Sequence, residues 1–119
     1  MYATDTSTDY IQLQVSSGTP NVDYYCAYLN LSSNTVEESD GNTSTTGSLI
    51  PFSTLSPNQV QTISIFNTTS STGSVLVTVV YNNGTDYVLF KITLPIGYTL
   101  TYTCDGAGWQ VYDNTGKRL

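Results

Sequence analysis

The chain has 119 residues, with three Lys and Arg against nine Asp and Glu, no His and a formal net charge of −6. Charged residues make up only 10% of it, well below the about 25% typical of soluble domains. A nucleic-acid footprint is excluded, because it needs clustered cations and the only ones are Lys91, Lys117 and Arg118.

The length predicts one domain, able to bury roughly two thirds of its unfolded surface. No charged-then-apolar leader follows Met1 and no run long enough to cross a bilayer is present. The expectation is a protein made in a cytoplasm that neither spans a membrane nor enters a secretory pathway.

Residues 1–9 are polar and aperiodic, an arm either free or docked on a neighbour; residues 10–119 form the domain. From Tyr10 to Val15, Ile11, Leu13 and Val15 alternate with Gln12 and Gln14, which predicts the first strand. Ser16 to Pro20 turns the chain. Val22 to Leu29 is the second strand, with Val22, Tyr24, Cys26 and Tyr28 on one face and Tyr25, Ala27 and Leu29 on the other.

From Asn30 to Gly47 the alternation stops, and the stretch reads as a long loop, of the kind that is functional or disordered. It holds Glu37, Glu38 and Asp40. Asp40-Gly-Asn42 offers oxygen ligands, but the spacing matches no EF-hand, so a solvated or partner-facing loop is expected in place of a calcium site. Ser48 to Ser53 predicts a short edge strand, since Pro51 has no N–H for a ladder. A turn at Leu55 to Asn58 follows.

Val60–Asn67, Val75–Tyr81, Tyr87–Leu94, Tyr98–Cys104 and Trp109–Tyr112 are rich in β-branched and aromatic residues and predict a meander of hairpin-linked strands. Turn signals sit between them. Ser70 to Ser74 is the first, Asn83-Gly84 suits a primed turn, Pro95 with Gly97 suits a type I turn, and Asp105 to Gly108 closes the last hairpin. Val75–Tyr81 is apolar on both faces and predicts a central strand. Val88, Phe90, Ile92 and Leu94 are expected on the core side with Lys91 opposite, and Leu100, Tyr102 and Cys104 inside with Thr99, Thr101 and Thr103 outside. The sum is an all-β chain, a single β-sandwich or jelly-roll-like domain of about eight short antiparallel strands.

The absence of His removes Ser-His-Asp and Cys-His nucleophile systems and most zinc sites. Two cysteines cannot complete a zinc site built from four thiolates, and the carboxylates fall mostly in turns and loops. No catalytic residue, cofactor site or metal site is expected, so the chain reads as non-enzymatic. Asp113 to Lys117 lacks the earlier glycine and the following helix of a phosphate loop and reads as a terminal turn.

Tyr102-Thr-Cys104 has the Tyr-x-Cys arrangement of an immunoglobulin strand, but that fold wants a Trp between its cysteines and Trp109 follows both. Cys26 and Cys104 are expected as free thiols in a reducing compartment. A secreted immunoglobulin-like adhesin would instead bond them and glycosylate the sequons at Asn30, Asn42, Asn67 and Asn83. The ten tyrosines divide between core and contact surface, tyrosine giving large area with a polar tip. A sugar-binding aromatic platform is the alternative.

Asp9-Tyr-Ile-Gln-Leu13, Ile63-Ser-Ile-Phe-Asn67, Val77-Thr-Val79 and Tyr87-Val-Leu-Phe-Lys91 are followed by Leu94-Pro-Ile-Gly-Tyr-Thr-Leu-Thr-Tyr102 and Gly106-Ala-Gly-Trp-Gln-Val-Tyr-Asp113. In that order they resemble small structural proteins encoded among the head genes of tailed bacteriophages. The ending carries the most specific part, with its Gly-x-Gly-aromatic turn and closing Gly116. Cys104 and the acidic insert from Glu37 to Asp40 depart from the pattern.

The resemblance implies a virion protein on the capsid exterior, a decoration or cement protein, with the host cytoplasm as its place of assembly. Its expected partners are the major capsid protein and copies of itself, most simply as a trimer. Expected contact residues are Tyr2, Asp5 and Asp9 in the arm, Glu37, Glu38 and Asp40 in the acidic stretch, and the aromatics Tyr25 and Trp109. The competing expectation is a tail or fibre module that binds host-surface glycans.

Overall fold

The computed structural model describes residues 3–4, 9–17, 20–51, 57–68 and 73–119. Tyr2, Asp5, positions 52–53 of the expected edge strand and parts of three expected turns (18–19, 55–56 and 70–72) lie outside them. The described residues form ten strands: β1 (Ala3–Thr4), β2 (Tyr10–Ser16), β3 (Val22–Asn30), β4 (Thr35–Thr43), β5 (Thr46–Ile50), β6 (Asn58–Asn67), β7 (Val75–Asn82), β8 (Asp86–Leu94), β9 (Thr99–Thr103) and β10 (Gly108–Tyr112).

They pair antiparallel into two sheets. The larger has the order β10-β9-β6-β3-β4, with β1 also on β6, and the smaller has the order β5-β2-β7-β8. The β-sandwich that the alternation predicts is therefore the fold. Its core is the inner set of each strand: Ile11 and Leu13 from β2, Val22 and Cys26 from β3, Ile63 and Ile65 from β6, Val75, Val77 and Val79 from β7, and Leu100 from β9, all at or below 1% exposure. Each such aliphatic side chain stabilises the fold by about 1.5–3 kcal/mol relative to exposure.

The Asn30–Gly47 stretch is not a loop. Asn30 turns the chain, its Oδ1 accepting from the amides of Ser32 and Ser33 at 3.0 and 3.1 Å, with Asn34 at a φ of 57°. The chain then returns as β4, in continuous register with β3 from Asn30↔Thr35 to Val22↔Thr43. No alternation betrays β4, because it lies at the sheet edge with almost every side chain in solvent. Backbone pairing, rather than a buried face, makes it a strand.

The arm is tied down where it is described: Ala3 and Thr4 pair with Gln59 and Asn58 of β6. As Asn58 and Gln59 also pair with β3, β1 takes the free side of β6 below the end of β9.

The expected meander is broken twice. β7 and β8 form a hairpin, as do β9 and β10, but β6 to β7 and β8 to β9 each cross between sheets. At the second crossing the turn is Pro95 to Tyr98, the Tyr98 amide donating to the Pro95 carbonyl at 3.1 Å. Gly97 is its third residue at a φ of 81°, the position where a type II turn requires positive φ. Asn67 clasps this crossover, its Nδ2 donating to the Leu94 carbonyl at 2.9 Å while its backbone pairs with Gly97 and Tyr98.

The β7–β8 connection is a three-residue loop, Asn83 to Thr85, between the paired Asn82 and Asp86. Only Gly84 has positive φ there, so the two-residue primed turn does not form.

A bulge corrects one face assignment. The partner of Val79 is Phe90, yet the partner of Val80 is Val88, so Leu89 is extra and the period-two pattern slips. Val88 therefore points outward, 60% exposed, while Leu94 stays fully buried.

Cys26 and Cys104 are both thiols. One lies on β3 and the other directly follows β9, with β6 between them. Two interstrand spacings are about 9.5 Å, beyond the ~7 Å Cα reach of a disulfide. The sequon at Asn67 is fully buried. The immunoglobulin-like reading thus loses its disulfide and one of its four sequons, while Asn42 and Asn83 are exposed.

Candidate functional site

Directly opposed residues of an antiparallel pair share a face, so the registers write out the outer surface of the larger sheet. One row crosses it as Asn42, Asp23, Phe66, Thr99 and Tyr112. The next is Asp40, Tyr25, Ser64, Thr101 and Gln110, and a third is Glu38, Ala27, Thr62, Thr103 and Gly108. None of these positions carries a cation. The face is a carpet of hydroxyls and amides with aromatic rings at Tyr25, Phe66 and Tyr112, with the carboxylates of Glu38 and Asp40 on β4 and of Asp23 on the neighbouring β3.

The carpet is locally ordered. Tyr112 donates its hydroxyl to Gln110 Oε1 at 2.8 Å, and Asn42 Nδ2 donates to Asp23 Oδ1 at 2.7 Å. The Tyr25 phenol is held protonated above its ordinary range, first by partial desolvation and then by its hydrogen bond to Glu38 and the charges of Glu38 and Asp40.

β4 itself is an acidic edge. Glu37, Glu38 and Asp40 are all exposed on it, and Val36 is 60% exposed. Glu37 stands opposite Tyr28 and so on the other side of the strand from Glu38 and Asp40.

At the opposite side of the sandwich a groove of about 620 Å³ opens between β8 and β10, with the C-terminal residues as one wall; Ile92, Tyr98, Trp109, Val111, Arg118 and Leu119 line it among others. The Trp109 indole stacks on Phe90 with centroids 4.8 Å apart and 18° between planes, and packs against Tyr102 at 5.0 Å. Stacking on Phe90 joins the two sheets beside the groove, so the ring is engaged inside the protein. The C-terminal wall is fixed by the bridge between Tyr112 and Arg118 and by the Leu119 amide donating to the Val111 carbonyl at 2.8 Å.

The expected contact residues thus part company. Tyr25, Glu38 and Asp40 come together on the outer face, Glu37 shares their strand, and Trp109 belongs to the groove. Asp9 is only 5% exposed and accepts the Tyr81 hydroxyl at 2.6 Å, so it fastens β2 to the fold and is not presented outward. Tyr2 and Asp5 lie outside the described residues. The sequence reading missed Phe66, Thr62 and Ser64 as surface positions and Arg118 as a groove residue. Alternation in β6 puts the first three opposite Ile63 and Ile65, but only the register places them in rows with β9 and β10.

Among the described residues no group of three or more Cys, Asp or Glu converges as metal ligands would. Comparison with family models, with curated proteins and with solved structures finds no match.

Proposed function

We propose that the protein is a structural component of a virion, a capsid decoration protein that binds the major capsid protein on the outside of the head and bridges neighbouring subunits. The observation that supports this most is the outer face of the larger sheet. Its three rows carry no cation, and away from the carboxylates of Asp23, Glu38 and Asp40 the face is covered with short hydroxyl and amide side chains. Little charge therefore has to be desolvated there when another protein covers it. Tyr25, Phe66 and Tyr112 supply the aromatic anchors that concentrate binding energy in such contacts.

The action is mechanical. Each copy adds a modest contact, and many copies held on one lattice resist outward pressure through avidity.

The test is occupancy on heads that lack the protein. Ser64→Lys and Thr101→Lys put a cation at the centre of the face and are expected to weaken binding about tenfold or more. Heads that bind both variants as well as the parent protein refute the reading.

One observation favours a second reading, a fibre module for host glycans: in the groove, Tyr98 and Gln110 stand beside Arg118, the mixture of ring face and hydrogen-bonding groups that sugars use. A glycan array separates the two. Signal on it that Arg118→Ala abolishes favours the fibre module, and a blank array favours the capsid role.

A further inference from the structure

The two edges of the larger sheet differ in charge. At one edge, β4 carries Glu37, Glu38 and Asp40 and no cation. At the other, the C-terminal residues run beside β10 through the Tyr112–Arg118 bridge, which places Lys117 and Arg118 there. Lys91 lies on β8, across the groove from β10, so all three cations of the chain are on the side away from β4. Asp86, Asp105 and Asp113 also lie on that side, hydrogen-bonded by Asn82, by Thr103 and the Ala107 amide and by Thr115 and the Lys117 amide. They balance the three cations, so the side is near neutral as a whole and its local cationic points are the exposed Lys117 and Arg118, against an edge that carries carboxylates alone.

A free strand edge pairs with another chain unless something guards it. Three carboxylates guard β4 against a second β4 by like-charge repulsion, and the same carboxylates suit it to a cationic seat. Apolar surface is divided in the same way. Val36, 60% exposed, stands on the acidic edge, with Leu31, 47% exposed, in the turn that leads into it, and the groove at the other side offers Ile92, Trp109 and Val111 along with Arg118.

We infer that copies of this chain associate head to tail, the β4 edge of one copy seating at the groove between β8 and the C-terminal residues of the next. Glu37, Glu38 and Asp40 meet Lys117 and Arg118, and Val36 enters the apolar part of the groove. Such a contact is heterologous, so repetition closes a ring or extends a filament. It covers the β4 side of the outer face of the larger sheet and leaves the positions on β3, β6 and β9 open in every copy. Self-association of this kind does not depend on the capsid role, and its test needs no capsid.

Sedimentation across a wide range of concentration and salt reads it out. The parent chain is expected to form species larger than its 12.9 kDa monomer, loosening as salt screens the contact. Glu37→Lys with Glu38→Lys removes one surface and Lys117→Ala with Arg118→Ala the other, and each double variant is expected to self-associate at least about tenfold more weakly. All four side chains are exposed, so the fold is retained, which circular dichroism checks. An equimolar mixture of the two variants still holds one intact surface of each kind and is expected to give a two-chain complex and nothing larger. Hydrogen exchange of the parent chain is a second readout, with the outward amides of β4 slowing as assembly proceeds. A parent chain that stays monomeric at every concentration, a double variant that assembles like the parent, an inert mixture, or β4 amides that never slow each overturns the inference.

Discussion

The Tyr24 ring occupies the space that a side chain on Gly47 would need. A Cβ built on Gly47 falls 2.6 Å from Tyr24 Cε1, and one built on Gly41 falls 2.7 Å from the Tyr24 hydroxyl. Tyr24 thus roofs the corner where β4 passes from the larger sheet to β5 in the smaller. Gly47→Ala is expected to destabilise the protein by about 1–3 kcal/mol, because the ring has to leave a packed position. Gly41→Ala costs less, since it meets the tip of the side chain at an exposed strand. In a double-mutant cycle with Tyr24→Ala, urea denaturation should show the Gly47 penalty largely vanish; simple additivity contradicts the packing account.

The Phe90–Trp109 stack is the aromatic seam of the open side. Phe90→Ala is expected to cost about 2–3 kcal/mol, below the value for a fully buried ring because both residues are half-exposed. Trp109 is the only tryptophan, so its fluorescence reports this seam alone. Loss of the stack should shift its emission to the red in the folded state, and an unchanged spectrum argues that the rings are not held together.

Cys26 is fully buried, and desolvation pushes its thiol up to about 12. Cys104 is half-exposed. Near neutral pH a thiol reagent should label Cys104 in the native protein and reach Cys26 only after unfolding, because the thiolate is the reactive form. Equal labelling of both in the folded state, read by mass spectrometry of peptides, contradicts this placement.

Asp113 orders the C-terminal wall of the groove. Its carboxylate accepts from the Thr115 hydroxyl at 2.6 Å and the Lys117 amide at 3.0 Å, and these bonds, the Thr115 hydroxyl foremost, hold its carboxyl below the ordinary aspartate value of 3.8. A carboxyl depressed in the folded state adds stability that is present above 3.8 and is lost as pH falls through the lowered value. Amide resonances of Thr115 and Lys117 should titrate with a midpoint below 3.8, and Asp113→Asn should abolish that titration. A midpoint at or above 3.8 contradicts the assignment.

Most strands were legible because their apolar residues keep the period of a half-buried face: Ile11, Leu13 and Val15 in β2, or Leu100 and Tyr102 in β9. β4 was not, since neither of its faces is buried and its sequence therefore carries no period. Val88 was misassigned for a related reason. One bulged residue, Leu89, reverses the faces before it, and nothing in the local sequence announces a bulge. The outer face was half legible: Thr99, Thr101 and Thr103 reveal that β9 has a polar side, but not that Ser64 and Gln110 continue the row.

The sequence by itself determined the class of protein: an all-β chain, charge-poor and acidic, without the histidines or cation clusters that common chemistries require. Those properties are sums and periods, which survive in one dimension. The tertiary structure decided which hairpins switch sheets, that the acidic stretch is an edge strand, and that the three cations gather on the side away from it. Each of these depends on pairing between residues far apart in the chain, where backbone hydrogen bonds, rather than side-chain pattern, select the neighbour.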